Sequence, residues 1–193
     1  MQHTRRRGDE LVGAVYAAAL AEIAEHGMRG VSMERIARQA GTGKAALYRR
    51  WPNVRALTLD VFLETLAQAV SADAPDTGSL RTDLITSLAE FSAALTGPLG
   101  VVLRELISEA AHDDELVTEF QQRYGLPQQA QLLAVLERAR ERGELPHRPI
   151  DPLALEVPAS TVLYHLLLTG EAFTAEQVEA VVDRVIMPVL SRP

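Results

Sequence analysis

The chain has 193 residues, of which 47% are hydrophobic and 23% are charged, and this composition is typical of a soluble globular protein with a substantial core. It contains no cysteine, which excludes disulfides and thiolate metal sites. The absence of cysteine also fits a cytoplasmic protein, and because no run of 18 apolar residues occurs, we expect no membrane-spanning helix.

The net charge of −7 is unevenly distributed along the chain. Residues 1–58 hold ten Lys or Arg and five Asp or Glu, a balance of +5, whereas residues 59–193 hold nine and twenty-one, a balance of −12. This segregation predicts a basic surface for an anionic partner and a separate acidic body. Since salt screens charges beyond roughly 8–10 Å, the acidic body need not cancel the attraction of the basic end for phosphate.

The N-terminal segment offers two interpretations. Three arginines at 5–7 precede an apolar run, which is the pattern of an export signal. However, Asp9 and Glu10 separate the arginines from the apolar run, and Glu22 and Glu25 follow the run at helical spacing. We therefore predict a helix from Asp9 or Glu10 to Glu25, which stops at Gly27.

The most informative segment begins at Ser32, a residue that can cap a helix. The apolar residues that follow it have the i, i+3, i+4, i+7 spacing of one helix face; they are Met33, Ile36, Ala37 and Ala40. Gly41 can supply the positive φ of a tight turn. A second short helix then begins at Thr42 or Gly43 and ends before Pro52.

The second short helix has two different faces. Leu47 and Trp51, four residues apart, can pack on the preceding helix, while the small side chains of Ala45 and Ala46 would let the opposite side enter a DNA major groove. Lys44 can reach guanine O6 and N7. The predicted DNA-contacting residues are Ser32, Thr42, Gly43, Lys44, Ala45, Ala46, Tyr48, Arg49, Arg50 and Arg55. The alternative is an ordinary helical hairpin with a solvated basic face.

The segment resembles the DNA-binding domain of TetR-type (tetracycline-repressor-like) regulators. The motif residues of this chain are Ile36-Ala37, Ala40-Gly41, Lys44, Leu47-Tyr48, Arg49-Arg50, Trp51 and Pro52-Asn53. The resemblance spans about 47 residues, from Leu11 to Leu57, and implies a sequence-specific DNA-binding regulator. Two positions depart from the family pattern. Val54 stands where the family usually has a phosphate-binding lysine, and the sequence leaves open whether Arg55 replaces it, while Gly43 stands where a serine-like cap is usual.

The rest of the chain continues with helical periodicity. One apolar stripe runs from Leu59 to Val70 and a second from Leu80 to Leu95, with a loop over residues 72–79 between them. Gly97-Pro98 ends a helix, and the next begins at Val101. The acidic residues 113–115 suit the first turn of a helix. Gly125-Leu126-Pro127 is expected to interrupt the helix that starts there, and a further helix then runs to about Arg142.

The last two predicted helices have clear start signals. Asp151-Pro152 places a capping residue before a proline at the first helical position, and Thr174 with Gln177 forms a capping box. Pro158 should kink the first of these helices. The whole chain therefore reads as all-α, with an N-terminal three-helix bundle (1–58) that contains the helix-turn-helix, joined to a larger helical effector-binding and dimerisation body (59–193).

The resemblance further implies a homodimer, formed through the last two helices at about 152–169 and 175–190. It also implies double-stranded DNA with a palindromic operator as partner, and release of a repressor by a small ligand. Few polar residues lie among the candidates to line a ligand cavity, which favours an apolar or amphipathic effector. Those candidates are Phe62, Phe91, Leu103, Leu106, Phe120, Tyr124 and Tyr164, although for any single one of them the pattern favours an ordinary core residue.

Other classes of function have less support. No Ser-His-Asp set or phosphate-binding glycine loop is recognisable, and the histidines lack metal-ligand spacing, so we expect neither an enzyme nor a cofactor nor a metal site. A regulator that answers a protein partner, or no effector at all, stays open. So does the choice between repressor and activator.

Overall fold

The computed structural model describes residues 9–71 and 73–191, so the arginines at 5–7 lie outside the described part. Within those two ranges every regular element is a helix, and the predicted all-α class is confirmed. The α-helices are α1 (Asp9–Gly30), α2 (Met33–Gln39), α3 (Lys44–Arg50), α4 (Val54–Ala69), α5 (Leu80–Ala94), α6 (Gly97–Ala110), α7 (Asp114–Phe120), α8 (Leu126–Glu141), α9 (Pro152–Thr169), α10 (Ala175–Val181) and α11 (Met187–Ser191).

The chain divides into two compact units. The first combines the residues up to 65 with residues 97–116, and the second combines residues 66–96 with those from 117 onward. The predicted domain boundary between residues 58 and 59 stays a prediction. In the first unit α1 packs on both α2 and α6, and α2 packs on α3.

A glycine kinks α1 three residues before its last residue, at the position where the sequence predicts the helix to stop. Gly27 has φ +64°, a conformation that favours glycine, and its backbone is not helical there. The next amide, of Met28, donates a 2.9 Å hydrogen bond to the Glu105 carboxylate of α6. The turn at Gly27 therefore fixes the end of α1 against α6 within the first unit.

The core of the first unit forms where the apolar stripes of α1 to α4 meet. Its buried residues are Val15, Tyr16, Ala18, Ala19, Met33, Ile36, Ala37, Ala40, Leu47, Trp51, Leu57 and Val61. The predicted stripe of α2 lies wholly within this cluster. Burial of these faces supplies the main favourable free energy for holding two seven-residue helices, which are too short to be stable alone.

The helix starts in the second unit agree with the predicted capping signals. The Asp151 carboxylate accepts a hydrogen bond from the Leu153 amide at 3.0 Å at the start of α9. Thr174 and Gln177 form the predicted capping box, because each side chain accepts from the backbone amide of the other. These caps satisfy amides that have no partner inside their helices.

Two prolines are accommodated by π turns rather than by breaks. Gln121–Gly125 is a π turn that joins α7 to α8, so the predicted interruption before Pro127 is wrong. A second π turn, Val182–Ile186, joins α10 to α11 just before Pro188. A proline lacks an amide hydrogen and clashes with the carbonyl four residues earlier, and the wider turn gives that carbonyl room.

Two further boundaries concern prolines. Helix α6 begins at Gly97, four residues before the predicted Val101, since Pro98 fits the first turn of a helix, where an amide hydrogen has no partner in any case. Pro158 lies inside α9, and the kink expected there stays a prediction.

Among the described helices no single one is long and apolar enough to cross a membrane; α5 and α6 meet that criterion only as a bent pair.

Candidate nucleic-acid interface

The turn between α2 and α3 is held by backbone hydrogen bonds and one glycine. Ser32 caps α2, since its Oγ accepts a 3.3 Å hydrogen bond from the Arg35 amide. Gly41 has φ +68°, and the Thr42 amide donates to the Ala37 carbonyl at 2.9 Å. Gly43, not Thr42, occupies the capping position of α3 and makes no side-chain cap. The first amides of α3 are therefore left without an internal partner at the surface.

One face of α3 is anchored in the core. Leu47 is 2% exposed and Trp51, which follows the last turn, is 5% exposed. Both belong to the core cluster that includes Ala37, as their spacing predicts. The Trp51 ring also lies 6.0 Å from the Tyr16 ring of α1, tilted by 59°. This anchoring fixes which side of α3 faces outward.

The opposite face of α3 is polar, basic and exposed. Lys44, Ala45, Tyr48, Arg49 and Arg50 are all exposed, whereas Ala46 is half-buried. The Arg50 guanidinium lies 5.0 Å from the centre of the Trp51 ring, an attractive cation–π geometry. No ion pair of Arg49 occurs in the part of the chain that the structure describes. Its charge is therefore available to an anionic partner.

Lys44 has a partner that the sequence did not indicate. Its Nζ donates to a carboxylate oxygen of Glu34, in the first turn of α2, and lies 5.5 Å from the centre of the Tyr48 ring. The hydrogen bond to Glu34 raises the pKa of Lys44, and the same contact lowers the pKa of Glu34. Both groups are charged at neutral pH, and both side chains are about half exposed, at 55% and 53%. Lys44 must exchange this contact for any contact to a base.

A carboxylate on α4 joins three parts of the N-terminal bundle. Asp60 Oδ2 accepts a 2.9 Å hydrogen bond from the Tyr16 hydroxyl of α1 and another, also 2.9 Å, from Trp51 Nε1. Burial, and then the hydrogen bond to Asp60, raises the pKa of Tyr16, so the hydroxyl remains a donor at neutral pH. We call these three residues the Asp60 clamp. It fixes the end of α3 relative to α1 and α4.

A second carboxylate fixes α2 to α1. Glu22 is only 2% exposed, yet its side chain accepts hydrogen bonds from Arg35 Nε at 2.8 Å and Gln39 Nε2 at 3.2 Å. A buried carboxylate is costly unless it is paired in this way. Glu22 thus supports the helix against which α3 packs, and its spacing in α1 gave no signal of this role.

Arg55, included in the predicted contact set, is engaged inside the first unit. Its guanidinium donates to Asp113 at 2.5 Å and to Glu115 at 3.1 Å, and its side chain is 22% exposed. Asp113 also caps α7 by accepting from the Leu116 amide at 2.9 Å. The hydrogen bond from the Leu116 amide, and then that from Arg55, lowers the pKa of Asp113, so its carboxylate stays charged at neutral pH. The structure therefore places Arg55 with two carboxylates.

Helix α9 and the helical segment after residue 174 carry two kinds of apolar residue. Some complete the core of the second unit: Leu166, Val178, Val182, Ile186 and Leu190. Others are exposed on the single chain: Leu153, Tyr164, Leu167, Leu168 and Val185. Tyr164 is 68% exposed, so its predicted place in a cavity lining is wrong. Four of these exposed residues lie on α9, and Val185 lies in the second π turn.

Three aromatic residues predicted to line a cavity lie together in the second unit. The Tyr124 ring is 5.3 Å from that of Phe120 and 6.3 Å from that of Phe91. Burial raises the pKa of Tyr124, whose hydroxyl is therefore a hydrogen-bond donor at neutral pH. This aromatic cluster combines apolar surface with one polar group. Phe62, Leu103 and Leu106 are instead buried in the first unit.

The geometry of α2, the turn and α3 defines a class of protein. Two short helices joined by a tight turn, with the second helix anchored by Leu47 and Trp51 and exposing a basic face, form a helix-turn-helix. This arrangement is typical of DNA-binding transcriptional regulators.

Comparison with known families gives the particular group. Residues 15–61 match the family described as bacterial regulatory proteins, tetR family. Residues 74–185 match the tetracyclin repressor-like, C-terminal domain. The chain therefore belongs to the TetR family of transcriptional regulators, whose members bind DNA and act as dimers. The predicted family and the predicted class of function are confirmed.

Individual relatives support the assignment along the chain. The uncharacterized HTH-type transcriptional regulator YdeS of Bacillus subtilis (strain 168) is 30% identical over 86% of this chain and 83% of its own. The DNA-binding transcriptional repressor TetR of Mycobacteroides abscessus is 29% identical over 97% of each chain. The crystal structure of TetR family transcription regulator SCO0332 superposes with a TM-score of 0.71 at 30% identity, over 92% of this chain and 97% of that one.

Proposed function

We propose that the chain is a repressor that binds a palindromic operator as a homodimer and is released by a small apolar or amphipathic ligand. The observation that carries the DNA-binding part is the exposed basic face of α3, held outward by the burial of Leu47 and Trp51. A regulator of this kind acts where the chromosome is, so we place it in the cytoplasm. In this proposal it performs no catalysis.

The proposed contacts follow from position on α3. Lys44 leaves Glu34 and donates to guanine O6 or N7, while Ala45 contacts a thymine methyl group. Tyr48, Arg49 and Arg50 bind phosphates or base edges. Ser32, Thr42 and Gly43 lie before the start of α3, where they can contact the DNA backbone, and the small Ala46 in the first turn of α3 lets the helix sit deep in the groove. We leave Arg55 out of the set, because Asp113 and Glu115 already hold its guanidinium.

We propose that the dimer forms through α9 and the helical segment 175–191. Its support is the exposed apolar group on these two elements, which a two-fold symmetric contact would bury on both subunits at once. Two α3 helices about 34–36 Å apart then fit successive major grooves on one side of DNA. A two-fold axis in the protein requires a two-fold axis in the operator.

We propose the aromatic cluster of Phe91, Phe120 and Tyr124 as part of the effector site. The rings offer apolar contact, and the protonated Tyr124 hydroxyl can donate to a polar group of the ligand. A ligand that binds the DNA-incompetent dimer a hundredfold better supplies about 2.7 kcal/mol of coupling. A regulator that answers a protein partner would show no stabilisation of its body by any small molecule.

The test of the DNA-binding face is the salt dependence of binding, measured by fluorescence anisotropy with a duplex of mixed sequence. Each phosphate contact contributes about −0.9 to the slope of log K against log salt concentration. Arg49→Ala removes one phosphate contact per subunit, so the slope measured for the dimer should become shallower by about 1.8. Arg123→Ala is the matched control, since Arg123 is a surface arginine that pairs with Glu119 of its own helix. Equal slopes for the two variants would remove Arg49 from the interface, and no binding by the unchanged protein at low salt would refute the proposal.

A further inference from the structure

A single carboxylate lies in the otherwise basic helix-turn-helix. Residues 32–53 contain five lysines or arginines, and Glu34 is the one acidic residue among them. It lies in the first turn of α2 and is 53% exposed. Its two oxygens accept hydrogen bonds from Lys44 Nζ and, at 3.2 Å, from Ser32 Oγ. Because Lys44 is the first residue of α3, this bond places Glu34 beside the end of the recognition helix whose residues contact bases.

A negative charge at this place opposes DNA binding unless the DNA supplies a hydrogen-bond donor. The phosphates repel it, and the ammonium group that now neutralises it belongs to Lys44, which is proposed to donate to guanine. When Lys44 moves to a base, Glu34 loses the hydrogen bond that Lys44 supplied. A carboxylate that gives up water at an interface without gaining a donor is unfavourable.

The major groove offers few donors to such an acceptor. Only cytosine N4 and adenine N6 present N–H groups at its base edges. Adenine N6 lies between two acceptors, its own N7 and thymine O4, whereas cytosine N4 has guanine O6 on one side only, and it is the base atom from which a Glu side chain accepts. An ionised carboxylate has room for about four hydrogen bonds. Glu34 can therefore accept from a cytosine while it keeps the bond from Ser32.

We propose that Glu34 determines operator specificity: on DNA binding its bond to Lys44 opens, Lys44 donates to a guanine, and Glu34 accepts from a cytosine N4–H in the same half-site. This inference rests on the proposed function, in which α3 reads an operator and Lys44 contacts a base. In the free protein the two charges neutralise each other. At another sequence Glu34 meets an acceptor or a methyl group, so it acts by rejecting wrong bases.

The test uses the full chain, an operator selected from random duplexes, and competition binding with duplexes that carry one changed base pair. Glu34→Ala should lose at least about tenfold of the discrimination at one cytosine position in each half-site. Its affinity for random duplex should be equal or higher, because a charge that phosphates repel is gone. Glu25→Ala is the matched control and should change neither quantity. It removes the same charge from an exposed position of α1, where Glu25 Oε1 lies 3.9 Å from His26 Nε2 of the same helix.

Two further variants separate base reading from support of Lys44. Glu34→Gln can still accept from Lys44 but also donates, so the preferred base at that position should change from cytosine to adenine, with which Gln forms two hydrogen bonds. Glu34→Ala made in Lys44→Ala should again cost about tenfold at the cytosine position, relative to Lys44→Ala alone. If it costs nothing there, Glu34 acts only through Lys44 and the proposal is overturned.

The remaining outcomes distinguish this inference from the proposed function. Normal operator binding with undiminished discrimination in Glu34→Ala overturns the inference alone. In that case Glu34 exchanges Lys44 for a partner within the protein, such as Arg38 four residues along α2. No binding of any duplex by the unchanged protein at low salt refutes the proposed function itself, and this inference with it.

Discussion

Replacing the acceptor of the Asp60 clamp tests how the recognition helix is held. In Asp60→Ala the Tyr16 hydroxyl and the Trp51 indole nitrogen both lose the oxygen that accepts from them at 2.9 Å. The two donor residues are 8% and 5% exposed, so water has little access to them. An unsatisfied buried donor costs about 1–3 kcal/mol, so the two together should lower the free energy of unfolding by at least about 2 kcal/mol.

The assay is urea denaturation followed by tryptophan fluorescence. Trp51 is the single tryptophan of the chain and belongs to the clamp, so its emission reports on the N-terminal bundle. Asp60→Asn keeps one acceptor oxygen and should lose less than Asp60→Ala. Asp73→Ala, at an exposed position, is the control and should stay within about 0.5 kcal/mol of the unchanged protein. If Asp60→Ala behaves like this control, the clamp does not stabilise the bundle and our account of how α3 is positioned is wrong.

Three further predictions concern α3 and its turn. Lys44→Ala should reduce discrimination between operator and random duplexes by about 1–3 kcal/mol in competition binding; equal weakening on both would identify a phosphate contact instead. Tyr48→Phe removes only a hydroxyl and should weaken operator binding by about 1 kcal/mol, and unchanged affinity would exclude that hydroxyl from the interface. Gly41→Ala should lower the free energy of unfolding in urea by about 1–2 kcal/mol, because φ is +68°. A Cβ there meets no neighbouring atom, so the whole cost comes from the backbone conformation. Gly13→Ala, in open space within α1, should instead stabilise it by about 0.5–1 kcal/mol, and the same sign for both glycines would contradict the backbone argument.

The local features of the DNA-binding bundle could be predicted because each depends on neighbouring residues. The cap at Ser32, the turn at Gly41 and the burial of Leu47 and Trp51 follow from capping preference, backbone freedom and helical spacing. The capping box at the start of α10 was predictable for the same reason. These signals require no knowledge of what lies elsewhere in the fold.

The polar partners could not be predicted, because they join residues far apart in the chain. Glu22 appeared as one more acidic residue in a helix, and nothing near Asp60 indicates that it accepts from two buried donors. The pairing of Arg55 with Asp113 spans 58 positions, so the sequence, which left open whether Arg55 contacts DNA, did not indicate this partner. Spacing identifies which face of a helix is apolar, but it does not identify the charge that a folded chain brings opposite.

The predicted interruption before Pro127 failed for a different reason. A proline inside a helical pattern removes one hydrogen bond, and that loss can be met either by a break or by a local change of helical pitch. The π turn Gln121–Gly125 takes the second course. Sequence alone does not choose between them, because the outcome depends on whether packing on both sides favours a continuous helix.

DNA reading by α3 is tested most directly by selection of bound duplexes from a random pool by the purified protein, after unfolding and refolding it to remove any small molecule that co-purifies. We expect enrichment of a two-fold symmetric site whose half-sites are one helical turn, or a multiple of it, apart, with affinity that falls steeply as salt rises. The absence of any enriched sequence from the stripped protein would contradict the proposal that α3 reads DNA.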